Sequence, residues 1–296
     1  MSMDAFSKRH PLVNFLFFVG AIGFGVVIQH PVYLAAGVFC AAVYYLLLNG
    51  KKGWKMLLGM VPLFLFLTAI NPLLNTYGAT VLFSVFGRPY TLEALYYGGA
   101  ISAVFVVMLI WFGCYNAVLT SDKFTSLFGN FIPALSLLLV MVLRLIPNLM
   151  RKASQFLGAR KSIGKGGSEN APKREKLMDG MTILSALTDW ALEGSVVTGD
   201  SMRSRGYGTA KRTSFVIYRM TGIDVMLLAI QVLLIAVVIA SAVTGGTTAV
   251  YTPEFYIAPI SGMAAVGFAA YFAYLLIPTA LHIKEAIQWH ISKSKI

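Results

Sequence analysis

The sequence predicts an all-α fold, a polytopic membrane protein with about six transmembrane helices and a long helical cytoplasmic module, and three observations carry that expectation. Hydrophobic residues make up 57% of the 296 and charged residues 12%, and the mean hydropathy of +0.74 lies well outside the soluble range. Six apolar stretches reach or approach the ~20 residues that a bilayer crossing requires. The formal net charge of +12 is concentrated beside those stretches, where the positive-inside rule places Lys and Arg. The lipid bilayer is therefore the expected environment, and nucleic acid is excluded as a partner.

The stretches run Leu12 to Ile28, Val32 to Leu48, Met56 to Leu74, Leu92 to Leu119, Ile223 to Val243 and Ile257 to Leu281. The first two are short and share a Gln29-His30-Pro31 turn, which reads as a helical hairpin or a re-entrant pair. A cleavable signal peptide is not expected, because the first run passes into the second with no small-residue cleavage site. With both termini inside, Lys8, Arg9, Lys51, Lys52, Lys55, Lys123, the whole insert from Arg151 to Arg219 and Lys284, Lys293 and Lys295 fall in the cytoplasm, leaving only Arg88 outside. The connection from Thr244 to Tyr256 has no Lys or Arg and reads as an external hairpin.

Phe124 to Met150 is apolar enough for a seventh span, yet a seventh span would invert the insert. It reads instead as a hydrophobic helix entering from the cytoplasmic side, bracketed by Pro133 and Pro147, with Arg144 needing a partner or an interfacial position. A helix is predicted over Asn148 to Ile163, then a flexible linker from Gly164 to Pro172. From Lys173 to Arg205, Leu177, Met181, Leu184, Thr188 and Ala191 form one helical stripe, with breaks allowed at Gly194 and Gly199 and an end at Gly206. The division is thus 1–123 for the N-terminal transmembrane helices, 124–215 for the hydrophobic and amphipathic coupling-helix module, and 216–296 for the C-terminal transmembrane helices and tail.

Chemistry of its own is not legible in the chain. Gly158 to Gly166 fails as a phosphate loop, because its first glycine is one residue too early and Gly166 stands where Ser or Thr must hold magnesium. His10, His30, His282 and His290 lack Cys, Asp or Glu at ligand spacing, Cys40 and Cys114 form no CxxC, and no Gly-x-Ser-x-Gly elbow is present. No catalytic residue, metal site or cofactor is expected. Trp54 and Trp289 fit interfacial belts, as do His10 and His282 at membrane edges.

What remains is a pair of arginine turns, Ala159-Arg160-Lys161 and Ser204-Arg205-Gly206, each just before a glycine-marked helix exit. An arginine so placed reaches a partner carboxylate through a two-pronged hydrogen bond that lysine cannot copy, and two tips suit a partner with two similar subunits. A solvated face obeying the positive-inside rule is the plainer alternative.

The order of motifs resembles the transmembrane T component of energy-coupling factor transporters, a division of the ATP-binding cassette importers. The likeness runs from Arg9-His10-Pro11 through Asn71-Pro72-Leu73-Leu74-Asn75-Thr76-Tyr77-Gly78, Thr91-Leu92-Glu93-Ala94-Leu95-Tyr96-Tyr97-Gly98 and Leu119-Thr120-Ser121. It continues through Arg144-Leu145-Ile146-Pro147, Ala159-Arg160 and Ser204-Arg205-Gly206-Tyr207 to Arg212-Thr213. The resemblance implies two ATP-binding cassette ATPase subunits docked on Arg160 and Arg205, a substrate-binding membrane S component held by the spans, and uptake of a vitamin or transition-metal ion across a prokaryotic plasma membrane, with no catalysis by this chain. Lys161 stands where the family has glycine and Ser204 where it has alanine, so the second motif is the closer match. A secondary transporter acting without ATPases is the rival reading, supported only by the span amides Asn14, Asn71, Asn116 and Gln231 and by Arg144 or Asp224 near span ends.

Overall fold

The computed structural model describes every residue except 1–4, 77, 79, 86–87, 121–122, 125, 128–132, 165–171, 210–217, 252–255, 261 and 294–296. In chain order the described helices are α1 (Pro11–Val27), α2 (Pro31–Asn49), α3 (Lys51–Leu74), α4 (Leu92–Val118), α5 (Pro133–Ser162), α6 (Lys173–Ser204), α7 (Gly222–Val243) and α8 (Met263–Lys293). They fall into two compact units, 1–124 with 218–296, and 125–217. The protein is an all-α, polytopic membrane protein: α2, α3, α4, α7 and α8 are each long and apolar enough to cross a bilayer. The 17-residue α1 rises about 26 Å at ~1.5 Å per residue.

Most span boundaries fall within a residue or two of those read from the sequence, with three corrections, one being that the last helix runs on to Lys293 rather than ending at Leu281. The last helix starts at Met263 rather than Ile257, because Tyr256–Ile257 pairs as strand β4 with β3 (Ala249–Val250) and Gly262 at φ +54° turns the chain before the helix. α3 starts at Lys51, five residues before Met56, so Lys51, Lys52 and Lys55 belong to its opening turns. A second hairpin, β1 (Val81–Val85) with β2 (Arg88–Thr91), joins α3 to α4. The Thr244–Tyr256 connection reads from the sequence as a hairpin without its strand register, and the β1–β2 hairpin is not predicted.

Two His-Pro dipeptides start the first two helices. His10 Nδ1 accepts from the Leu12 backbone N–H at 3.2 Å, and His30 Nδ1 accepts from that of Val32 at 3.3 Å. Each satisfies a donor that the helix start leaves open, while proline at the first helical position loses nothing by lacking an N–H. The His30 ring also reaches the Ala258 carbonyl through Nε2 at 3.1 Å, so the buried imidazole is bonded on both nitrogens. α7 opens on a capping box in which Thr221 and Asp224 bond each other reciprocally.

α1 and α2 share their tight turn but scarcely pack on one another. α1 lies against α4 and α7, and α2 against α4, α8 and α3. The space between them is filled by rings: Phe17 is fully buried, stacked on Tyr274 at 5.2 Å and edge-on to Phe6, Phe18 and Trp111 at 5.2, 5.3 and 5.4 Å. This aromatic centre joins the segment before α1 to α4 and α8.

Side-chain bonds identify the two ends of this first unit. At one, the Tyr251 hydroxyl donates to the Gln29 carbonyl at 2.8 Å, and Tyr97 and Tyr251 rings meet at 5.9 Å. Burial raises the Tyr251 pKa, so the phenol stays a donor. At the other end, Lys8 pairs with Glu285 at 2.6 Å, and Lys123 donates to the Val118 carbonyl and to Ser7 Oγ at 3.0 Å each. Helix direction then places Lys8, Arg9, Lys51, Lys52, Lys55, Lys123, Arg219 and Lys284 at that second end, while Arg88 opens strand β2 at the first.

Candidate functional site

Both arginine turns lie in the second unit, which α5 and α6 build. α5 is one helix of 30 residues that passes through Pro147 without ending, correcting the expected division there. Proline interrupts the i→i−4 ladder, but membrane-type helices keep proline inside a continuous run, as α3 does at Pro62 and Pro72 and α8 at Pro278. α6 is likewise unbroken at Gly194 and Gly199 over its 32 residues. A single helical glycine costs only about 1 kcal/mol, too little to split a helix held along one side. The predicted linker, apart from Gly164 and Pro172, and the Arg212-Thr213 pair lie outside the described residues.

Two contacts set the packing of the pair. Near the end of α5, Arg160 Nη2 forms an ion pair and hydrogen bond with Asp179 Oδ1 near the start of α6. Earlier in α5, Lys152 Nζ sits over the rings of Phe156 and Trp190 at 5.5 and 5.7 Å. Moving forward along α5 moves backward along α6, so the helices run antiparallel.

The two arginines therefore stand apart. Arg160 is on the side of Asp179, and α6 climbs roughly 39 Å from Asp179 to Arg205 at ~1.5 Å per residue. Their settings also differ. The Arg160 side chain is 21% exposed and tied to Asp179, whose side chain is 20% exposed. Ala159 and Lys161 beside it are exposed. Arg205 is exposed at the C-cap of α6, and its side chain meets no partner among the described residues. Ser204 before it returns its hydroxyl to the Asp200 carbonyl at 2.9 Å.

Glycine fixes the direction in which each helix releases the chain. Beyond Arg205, Gly206 at φ +76° donates to the Arg203 carbonyl at 2.9 Å and Tyr207 donates to that of Met202 at 3.0 Å, the paired bonds of a Schellman end. Beyond α5, Gly164 at φ +75° donates to the Lys161 carbonyl at 3.1 Å. A side chain at either glycine would be strained by the left-handed backbone.

The apolar stripe predicted on α6 is present but turned outward. Leu177, Met181 and Leu184 are exposed, Leu192 extends the same row, and of the described α6 residues none is buried. The face that meets α5 is the opposite one, carrying Asp179 and Trp190. The first half of α5 is also apolar and open, with Leu138, Met141, Leu145 and Ile146 exposed. Arg144 is exposed there, without a partner among the described residues. The second unit thus combines separated guanidinium groups with an uncovered apolar row.

Asp179 was not foreseen. Its role depends on the α5–α6 register, which no local spacing in the sequence encodes. No group of three or more His, Cys, Asp or Glu residues able to hold a metal occurs among the described residues, and Cys40 and Cys114 are buried and not disulfide-bonded. Comparison of the sequence with protein-family models and with curated proteins finds no match.

Proposed function

We propose that this chain is the transmembrane coupling subunit of an energy-coupling factor importer, joining two ATP-binding cassette ATPases to a substrate-binding membrane partner for uptake of a vitamin or transition-metal ion. The observation that carries this reading is the antiparallel α5–α6 pair, which holds Arg160 and Arg205 roughly 39 Å apart (~1.5 Å of rise per residue). One guanidinium at each end suits two similar subunits bound side by side. The outward row of Leu177, Met181, Leu184 and Leu192 supplies the surface for an apolar membrane partner. Nucleotide binding would close the two ATPases, and a helix pair anchored at both arginines would pass that movement to the spans.

The reading requires α5 and α6 in the cytoplasm, the side to which the positive-inside rule assigns the lysine-rich end of the first unit. Cys40 and Cys114 are fully buried, so a cysteine at Tyr207, which is exposed, reports topology directly. Tyr207→Cys is expected to react with a membrane-impermeant maleimide in inside-out vesicles and to stay unlabelled in intact cells. Labelling from outside the cell ends the proposal.

The rival carrier reading draws on Asn14 and Gln231, both fully buried, whose side-chain amides meet no partner among the described residues. Under the coupling reading these amides carry no cargo. Gln231→Leu is then expected to retain uptake and to match or exceed the native thermal stability, because it removes an unsatisfied polar group worth about 1–3 kcal/mol of desolvation. Loss of uptake with the fold intact would favour the carrier.

A further inference from the structure

A long apolar groove opens on the side of the first unit, between α2, α3 and α4. Its volume is about 1160 Å³, above the ~300–1,000 Å³ of pockets that take small molecules. The floor is shallow side chains, Ala35, Gly99 and Ala103, and the walls include Phe39, Leu57 and Val61. On α3 the lining runs from Trp54 to Thr68, roughly 21 Å of helix at ~1.5 Å per residue. That exceeds one leaflet's half of a ~30 Å hydrocarbon core. All three helices are among those long and apolar enough to cross the bilayer, and a groove so lined does not hold water.

The two ends of the groove differ. At the far end it closes against Tyr251 and Ile257. At the near end it meets the opening turns of α3, where Lys51, Lys52 and Lys55 are exposed and take part in no ion pair among the described residues. Lys51, Trp54, Leu58 and Val61 recur at helical spacing, so Lys51 stands one turn above the α3 wall, with Lys55 one turn further along from it. Trp54 lines the groove while remaining 56% exposed, the placement of an indole at the headgroup level.

From this arrangement we infer that the groove is a binding site for an anionic phospholipid. Its acyl chains lie between α2, α3 and α4, and its phosphate sits at Lys51 and Lys55 in the leaflet on the lysine-rich side. Hydrocarbon satisfies the walls, the ammonium groups satisfy the headgroup charge, and the Trp54 indole spans the boundary between them. A zwitterionic lipid meets the same walls but gains little from the cations.

The test is native mass spectrometry of the full chain, delipidated in mild detergent and then titrated with phosphatidylglycerol, with phosphatidylcholine or with inorganic phosphate. The native protein is expected to retain phosphatidylglycerol in preference to phosphatidylcholine and to take up no phosphate alone. Lys51→Gln with Lys55→Gln is expected to weaken phosphatidylglycerol retention roughly twenty- to thirtyfold, at about fivefold per cation near a lipid surface. Lys284→Gln, at the same end but on α8, leaves it unchanged. Ala103→Phe, which fills the floor, is expected to lower retention of both lipids while thermal melting confirms the fold. Equal retention of the two lipids, an equal loss with Lys284→Gln, undiminished binding to Ala103→Phe, or a groove occupied by a second copy in place of lipid would each overturn the assignment.

Discussion

Reversing both guanidinium charges, Arg160→Glu with Arg205→Glu, is expected to leave the chain inserted in the membrane while abolishing co-purification with the ATPases and uptake in whole cells. Under the proposed coupling role each substitution would remove a two-pronged bond to a partner carboxylate and set a like charge in its place. Losing one partner of a desolvated charge pair costs about 2–5 kcal/mol, and like charges add to it, so two sites together exceed what a micromolar assembly can lose. The single variants are expected to differ. Arg205 is exposed and has no side-chain partner among the described residues, so Arg205→Glu is expected to act chiefly on docking. Arg160 already bonds Asp179, so Arg160→Glu also sets two carboxylates together across α5 and α6. The exchange Arg160→Asp with Asp179→Arg restores that internal pair without restoring the docking arginine. Native assembly and transport by the double reversal would sink the coupling role.

The second large effect is structural. Phe17→Ala is expected to lower resistance to unfolding in micelles by roughly 2–3 kcal/mol, less than the ~3–5 kcal/mol usual for Phe→Ala in a water-soluble core. Within a bilayer the transfer of apolar surface out of water is no longer part of the balance, so what is lost is packing against neighbours. At Phe17 that loss is large: one stacked ring, Tyr274, and three edge contacts to Phe6, Phe18 and Trp111, each worth about 0.5–1.5 kcal/mol beyond area. Phe17→Leu, which keeps much of the volume, is expected to recover about half. A melting midpoint unchanged by Phe17→Ala would mean that the aromatic centre does not hold α1 to α4 and α8.

Much of the fold was legible because bilayer thickness imposes a length on apolar runs and every buried backbone group must be bonded within its helix. That constraint locates most span ends within a residue or two. It does not constrain which helix touches which, and so the adjacent α1 and α2 part company: Phe17, Trp111 and Tyr274 draw α1 toward α4 and α8 across long sequence separations. Breakers misled in the same way. Pro147, Gly194 and Gly199 lower local helix preference, but neighbouring contacts such as Lys152 with Trp190 override them. The positive-φ helix end at Gly206 was readable, because only glycine takes that backbone without strain. The tie between Arg160 and Asp179 was not, since it exists only once the two helices are in register.

The bare flank of α6 has a consequence for the life of the chain in the cell. A row of Leu and Met left open on a 32-residue helix is the kind of surface that chaperones hold and membrane proteases degrade. Molecules made in excess of whatever shields that flank would be cleared, so abundance would track the scarcest companion and orphan copies would be removed without any dedicated control of synthesis.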